Sequence, residues 1–140
     1  MRVVFDTVGF VRGLINPLSR WGHILYEYAD SYELVVSEPI VLEILDVLRR
    51  PEVSRLFRTL PGRDPAAILA ILQAADAVDV ADIPAVSRDP KDDKFLATAL
   101  AAGAAYLVSE DKDLTDIGEY EGIRIIRGAD FFDILMGERQ

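Results

Sequence analysis

Acidic side chains recur just past short apolar runs in this chain. Val3-Val4-Phe5 ends on Asp6, and Tyr106-Leu107-Val108 leads through Ser109 into Glu110, Asp111 and Asp113. The stretch "DDKFLATALAAG" puts Asp92 and Asp93 in the first turn of a helix, and "SEPIVLEILDVLRR" carries Glu43 among Ile40, Val41, Leu42, Ile44 and Leu45. A carboxylate with such apolar neighbours is expensive to bury unless something pairs with it. Acids gathered from these segments would repel one another, and some would have to protonate unless a counter-charge is present. A divalent cation supplies that charge. With one His and no Cys in the chain, its ligands would be oxygens, which favours Mg²⁺ or Mn²⁺ over zinc. A cation held by carboxylates can activate water and neutralise charge growing on a phosphodiester, so the chemistry indicated is phosphate-ester hydrolysis.

The elements that must bring these acids together follow from the apolar pattern. Runs of strand length occur at Val3–Phe5, Leu34–Val36, Ala77–Val80, Tyr106–Val108 and Ile123–Ile126. Helical patterns lie near 20–31, 38–50, 65–75, 93–102 and 129–136. Ser37 is placed to cap the second of these helices with Pro39 in its first turn, Pro51 to stop it, and Gly103 to end the helix that starts near Asp93. Strands separated by helices imply a parallel sheet covered on both faces. Ligands of such sheets bind at the carboxyl ends of the strands, where Asp6 and the Glu110–Asp113 segment fall.

The chain is 140 residues long and 51% hydrophobic, enough for one domain, residues 1–140, with a full core. No apolar run reaches spanning length and no secretory signal opens the chain, which points to a cytoplasmic protein starting at Met1, with no membrane partner. The net charge of −9 argues against a basic nucleic-acid surface, but the charge is uneven. Residues 49–63 hold five Arg against Glu52, while residues 76–93 hold six Asp against Arg88 and Lys91. A basic segment beside an acidic one suits a metal site next to a polyanion groove.

Asp6 in "VVFDT", Glu43 in "SEPIVLEILDVLRRP", and Asp93, Asp111 and Asp113 in "RDPKDDKFLATALAAGAAYLVSEDKDL" resemble the PIN-domain ribonucleases. The likeness is strongest to the branch of toxin-antitoxin toxins similar to VapC. It implies a three-layer α/β/α fold with a five-stranded parallel sheet. It also implies Mg²⁺- or Mn²⁺-dependent endonucleolytic cleavage of RNA, an antitoxin partner that covers the site, and a tendency to form a homodimer, for which Ile24, Leu25 and Phe57 are candidates. Asp6, Glu43, Asp93 and Asp111 take the places of the catalytic and metal-binding acids, and Asp113 that of an auxiliary ligand. The resemblance selects Asp93 because Phe95, Leu96 and Ala97 follow it in the register of the family's helix, and an N-cap, which must sit just outside the first turn, suits Asp92. Arg49, Arg50, Arg55 and Arg58 become candidates for RNA phosphate contacts. The family commonly has an amide two residues after the first acid, where this chain has Val8.

Two other readings use the same residues. One is a non-catalytic PIN scaffold that binds RNA or an antitoxin, with the Val8 departure marking lost turnover. The other is a phospho-receiver domain, which wants an acceptor Asp after the third strand and a Lys after the fifth; here "IRII" is followed by Arg127.

Overall fold

A computed structural model of the chain describes residues 1–59, 65–80, 83 and 88–139. The chain begins with β1 (Arg2–Phe5), α1 (Thr7–Ile15) and a short α2 (Arg20–Gly22), which continues as a π-helical turn (His23–Glu27) and a 3-10 turn (Ala29–Ser31). Then come β2 (Glu33–Val36), α3 (Glu38–Arg49), α4 (Pro51–Thr59), α5 (Pro65–Ala74) and β3 (Asp76–Ala77). A 3-10 turn (Pro90–Asp92) leads into α6 (Asp93–Ala102), followed by β4 (Tyr106–Val108), α7 (Lys112–Thr115), β5 (Glu119–Tyr120), β6 (Ile123–Ile126) and α8 (Gly128–Arg139).

The sheet order is β3-β2-β1-β4-β6-β5. Strands form at all five apolar runs and are mutually parallel, with Val3 opposite Leu34 on one side and Tyr106 on the other. The third, however, covers only Asp76–Ala77 and not the expected Ala77–Val80, where Val78 N still donates to Val36 O. The expected count of five is nevertheless one short. A sixth strand, β5, runs antiparallel against β6, Tyr120 opposite Ile123. Glu121 (φ 51°) and Gly122 (φ 84°) make the two-residue turn between them, both in the left-handed region that tight hairpins require. Two residues are too few to show strand periodicity, so this element leaves no pattern in the sequence.

β1 is central, and Val3, Val4 and Phe5 are all buried, as befits a parallel strand covered on both faces. α6 packs across β1, β2 and β4 and buries Phe95, Leu96 and Ala99; Gly103 (φ 62°) ends it in the left-handed conformation. Phe5 meets Trp21 edge-on at 5.2 Å and Phe131 at 5.9 Å between ring centroids, which ties α2 and α8 to the carboxyl end of β1.

Three helical readings change. α1 occupies a stretch with Gly9, Gly13 and several β-branched residues, poor helix formers that hide it in the sequence. Burial of Phe10, Val11 and Leu14 and a side-chain cap from Asp6 hold it in place. Pro51 stops α3 but also opens α4, because the first turn of a helix has no need of the missing N–H. The single helix expected near 20–31 is wound three ways, although its apolar stripe of Trp21, Ile24, Leu25 and Tyr28 stays buried. Ile24 and Leu25 therefore belong to the core of their own chain and offer nothing to a dimer face, and the side chain of Phe57 lies outside the described residues. Among the described residues no helix is long and apolar enough to cross a membrane.

Candidate active site

Asp6 ends β1 and caps α1 in the same step. It is 3% exposed, and its carboxylate accepts hydrogen bonds from Gly9 N (2.8 Å), Ser109 Oγ (2.7 Å) and Glu110 N (3.1 Å). Burial raises its pKa, and these three donors oppose the rise. Ser109 links this acid to the next segment, since its Oγ also accepts from Asp111 N at 2.9 Å.

Glu43 reaches the same end of the sheet from α3. Thr7 Oγ1 donates to its Oε2, and Lys94 Nζ sits 2.8 Å from its Oε1. The helix-face spacing of α3 shows no cation for Glu43, yet the fold supplies one from α6. Ser37 stands at the N-cap position of α3, but its hydroxyl pairs with Thr98 Oγ1 at 2.7 Å and makes no cap bond.

A second group of acids lies at the start of α6 and α7. Asp89, Asp92 and Asp113 bring carboxylate oxygens within 4.8 Å of one another, and Asp92 also contacts the carboxylate of Asp111. Asp111 caps α7, its Oδ1 accepting from Asp113 N at 2.9 Å. Arg88 closes the outer rim, 3.0 Å from Asp113 and 2.8 Å from Asp116. Asp92 is buried, and its Oδ2 has no hydrogen-bond partner. Its pKa is pushed up to about 7, first by burial and then by the carboxyl of Asp111 and the charges of Asp111, Asp89 and Asp113. A buried oxygen without a donor, surrounded by three more carboxylates, fits a hard cation with oxygen ligands.

The sequence-selected acids divide accordingly. Asp111 and Asp113 lie in or against this group, while Asp6 and Glu43 lie beside it with partners of their own. Asp93 is buried at the first position of α6, directly after Asp92, whose carboxylate converges with those of Asp89 and Asp113. Asp92 does stand at the N-cap position of α6, as expected, but a 3-10 turn precedes the helix and the Asp92 side chain makes no cap hydrogen bond. In that turn Asp92 N donates to Asp89 O at 3.0 Å, and Asp93 N to Pro90 O. Asp89 does the local capping instead, accepting from Lys91 N at 3.0 Å. Pro90 was the available signal, since proline favours the first position of such a turn. Lys94, adjacent to the paired acids, gave no signal of its own.

Glu110 is held by the fold. Its Oε1 accepts from Trp21 Nε1 and Gly128 N, both at 3.0 Å. Of the proposed phosphate contacts, Arg49, Arg50 and Arg55 are exposed on α3, at its end and on α4, and Arg50 pairs with Asp46 at 3.5 Å. The side chain of Arg58 lies outside the described residues. His23, on the π-helical turn, contacts Glu27 at 2.6 Å.

A family model described as PIN domain matches residues 2–113. Among solved structures the chain is similar to one of VapBC2 from Rickettsia felis bound to a DNA fragment from their promoter, with a TM-score of 0.60 and 11% identity, covering 91% of this chain and 98% of that one. No curated protein sequence matches the chain.

Proposed function

This chain belongs to the PIN-domain family, and from that premise we propose that it is a divalent-metal-dependent endoribonuclease, the toxin of a toxin–antitoxin pair. The observation that carries the reading is the buried, unpartnered Oδ2 of Asp92 among Asp89, Asp111 and Asp113. Asp92, Asp111 and Asp113 would hold Mg²⁺ or Mn²⁺, with Asp6 and Glu43 completing the acidic end of the site and Asp93 the neighbouring position to test. A bound cation would polarise the scissile phosphate and activate the attacking water. The chain's own groups do the positioning: Ser109 fixes Asp6 relative to Asp111, and Lys94 and Thr7 fix Glu43. Exposed Arg49 and Arg55 are available to approaching phosphates, and Arg50 would have to leave Asp46 to join them. The likeness to VapBC2, an assembly bound to promoter DNA, supports a partner protein as part of this reading.

The pairing of Glu43 with Lys94 favours a second reading, the non-catalytic scaffold, because one of the family's acids is already neutralised by the protein. Cleavage of a labelled RNA pool by purified protein in Mn²⁺, Mg²⁺ or EDTA separates the two. Metal-dependent cleavage that Asp92→Asn abolishes supports the nuclease. Folded protein inert in both metals turns the proposal to the scaffold.

A further inference from the structure

The carboxyl edge of the sheet changes sign along its length. β1 ends on Asp6, the neighbouring β4 on Ser109, Glu110 and Asp111, and the next strand, β6, on Arg127. Arg127 does not stand alone. Together with Arg12 of α1 and Arg20 of α2 it lines a cavity of about 340 Å³, whose wall includes Trp21, Glu110 and Ala129. Three arginines from three separate elements thus converge in one concavity, in a chain that has 24 acids against 15 bases.

None of these three guanidinium groups makes an ion pair or hydrogen bond among the described residues, whereas Arg2, Arg50 and Arg88 are engaged by Asp76, Asp46, and Asp113 with Asp116. Among the described residues Glu110 is the only acid lining the cavity, and its Oε1 is turned to Trp21 Nε1 and Gly128 N. That wall is close-packed: a Cβ on Gly128 would lie 2.7 Å from Trp21 Nε1 and 2.9 Å from Glu110 Oε1. The cavity therefore keeps a net positive charge on a rigid wall, and guanidinium forks suit a phosphate's planar oxygen pairs. Glu110 also joins the cavity to the acids, since its N–H donates to Asp6 while its side chain lines the arginine pocket. The ends of β1 and β6 are two strand spacings apart, roughly 10 Å.

We propose that Arg12, Arg20 and Arg127 form a phosphate-binding subsite that takes a backbone phosphate of single-stranded RNA next to the one at the acid cluster. The inference rests on the nucleic-acid reading above and gives that site a direction, from the acids toward β6.

The test is binding of a labelled 12-nucleotide single-stranded RNA in EDTA, across a series of KCl concentrations, with Mn²⁺-dependent cleavage run in parallel on the same preparations. The Arg12→Gln/Arg20→Gln/Arg127→Gln variant should bind roughly tenfold more weakly at low salt, with the slope of log affinity against log salt reduced by about 0.7 for each phosphate that the variant no longer neutralises. The corresponding triple Lys variant should recover the slope, and Arg127→Glu alone should weaken binding further than Arg127→Gln. All three side chains are exposed, so melting temperatures should stay at the wild-type value. Unchanged affinity and slope in the Gln variant overturn the subsite and leave a carboxylate-bearing protein segment as its occupant. Pocket-dependent RNA binding without cleavage in any metal leaves the subsite standing and removes the nuclease; cleavage with pocket-independent binding does the reverse.

Discussion

Asp6 and Asp92 are both buried aspartates at the N-terminal end of a helix, and burial raises the pKa of each. Around Asp6 the protein points three donors at the carboxylate. Around Asp92 the neighbours add to the rise, and one oxygen is left without a donor. Glu43 sides with Asp6, since Lys94 and Thr7 satisfy it. The difference teaches that the acidic end has two halves. One is satisfied by donors of the fold and positions the site, whereas the other gains from a proton or a cation. Of the two, the open half is where a metal changes the energy most.

Opposite effects of a single substitution test this division most strongly. Asp92→Asn should lower metal-dependent RNA cleavage by roughly 100-fold or more, while raising the metal-free melting temperature at pH 8 by roughly 3–6 °C. The sign follows from linkage. The folded pKa of about 7 lies above the unfolded value of 3.8, so the stability tied to this proton is fully present below pH 3.8 and lost as pH rises through about 7. The Asn variant's advantage should accordingly shrink as the pH is lowered toward 4. A variant that melts below wild type at pH 8 in EDTA would end the distinction between the halves.

Metal addition comes next. At a hundredfold excess over its dissociation constant, Mn²⁺ should stabilise the wild type by about 2.7 kcal/mol and leave Asp92→Asn nearly unmoved in thermal denaturation. Equal shifts in both proteins would locate the cation elsewhere.

Asp6→Ala removes a helix cap and strips Glu110 N and Ser109 Oγ of their acceptor. Urea denaturation should show a loss of about 1–3 kcal/mol with or without metal. The smallest effect concerns Val8, which is 59% exposed and stands where the resemblance to PIN ribonucleases leads one to expect an amide. Because Asp6 already has its donors, Val8→Asn should change stability by less than about 0.5 kcal/mol and leave the cleavage rate nearly unaltered. A large gain in rate would mean that the Asp6 half is not complete.

Much of this was legible in the sequence because it rests on local signals. Five strands, the helix ending at Gly103 and acids at strand ends follow from apolar runs and turn residues. What escaped depends on tertiary context. α1 is made helical by burial against its residues' propensities, and β5 exists only because β6 offers an edge. Asp92 and Asp93 are indistinguishable by type, and the approach of Asp92 to Asp89 and Asp113 depends on the turn begun at Pro90. The Lys94–Glu43 pair and the three-arginine cavity join residues far apart in the chain, where spacing carries no information.

The two outer strands, β3 and β5, have two residues each, and β3 is tied down by the Arg2–Asp76 pair. So short a margin gives an incoming strand almost no backbone ladder to extend, a safeguard against edge-to-edge aggregation. It also restricts how another protein can take hold. Among the described residues the edges thus favour a partner that grips helices, loops and the charged rim over one that adds a long strand to the sheet.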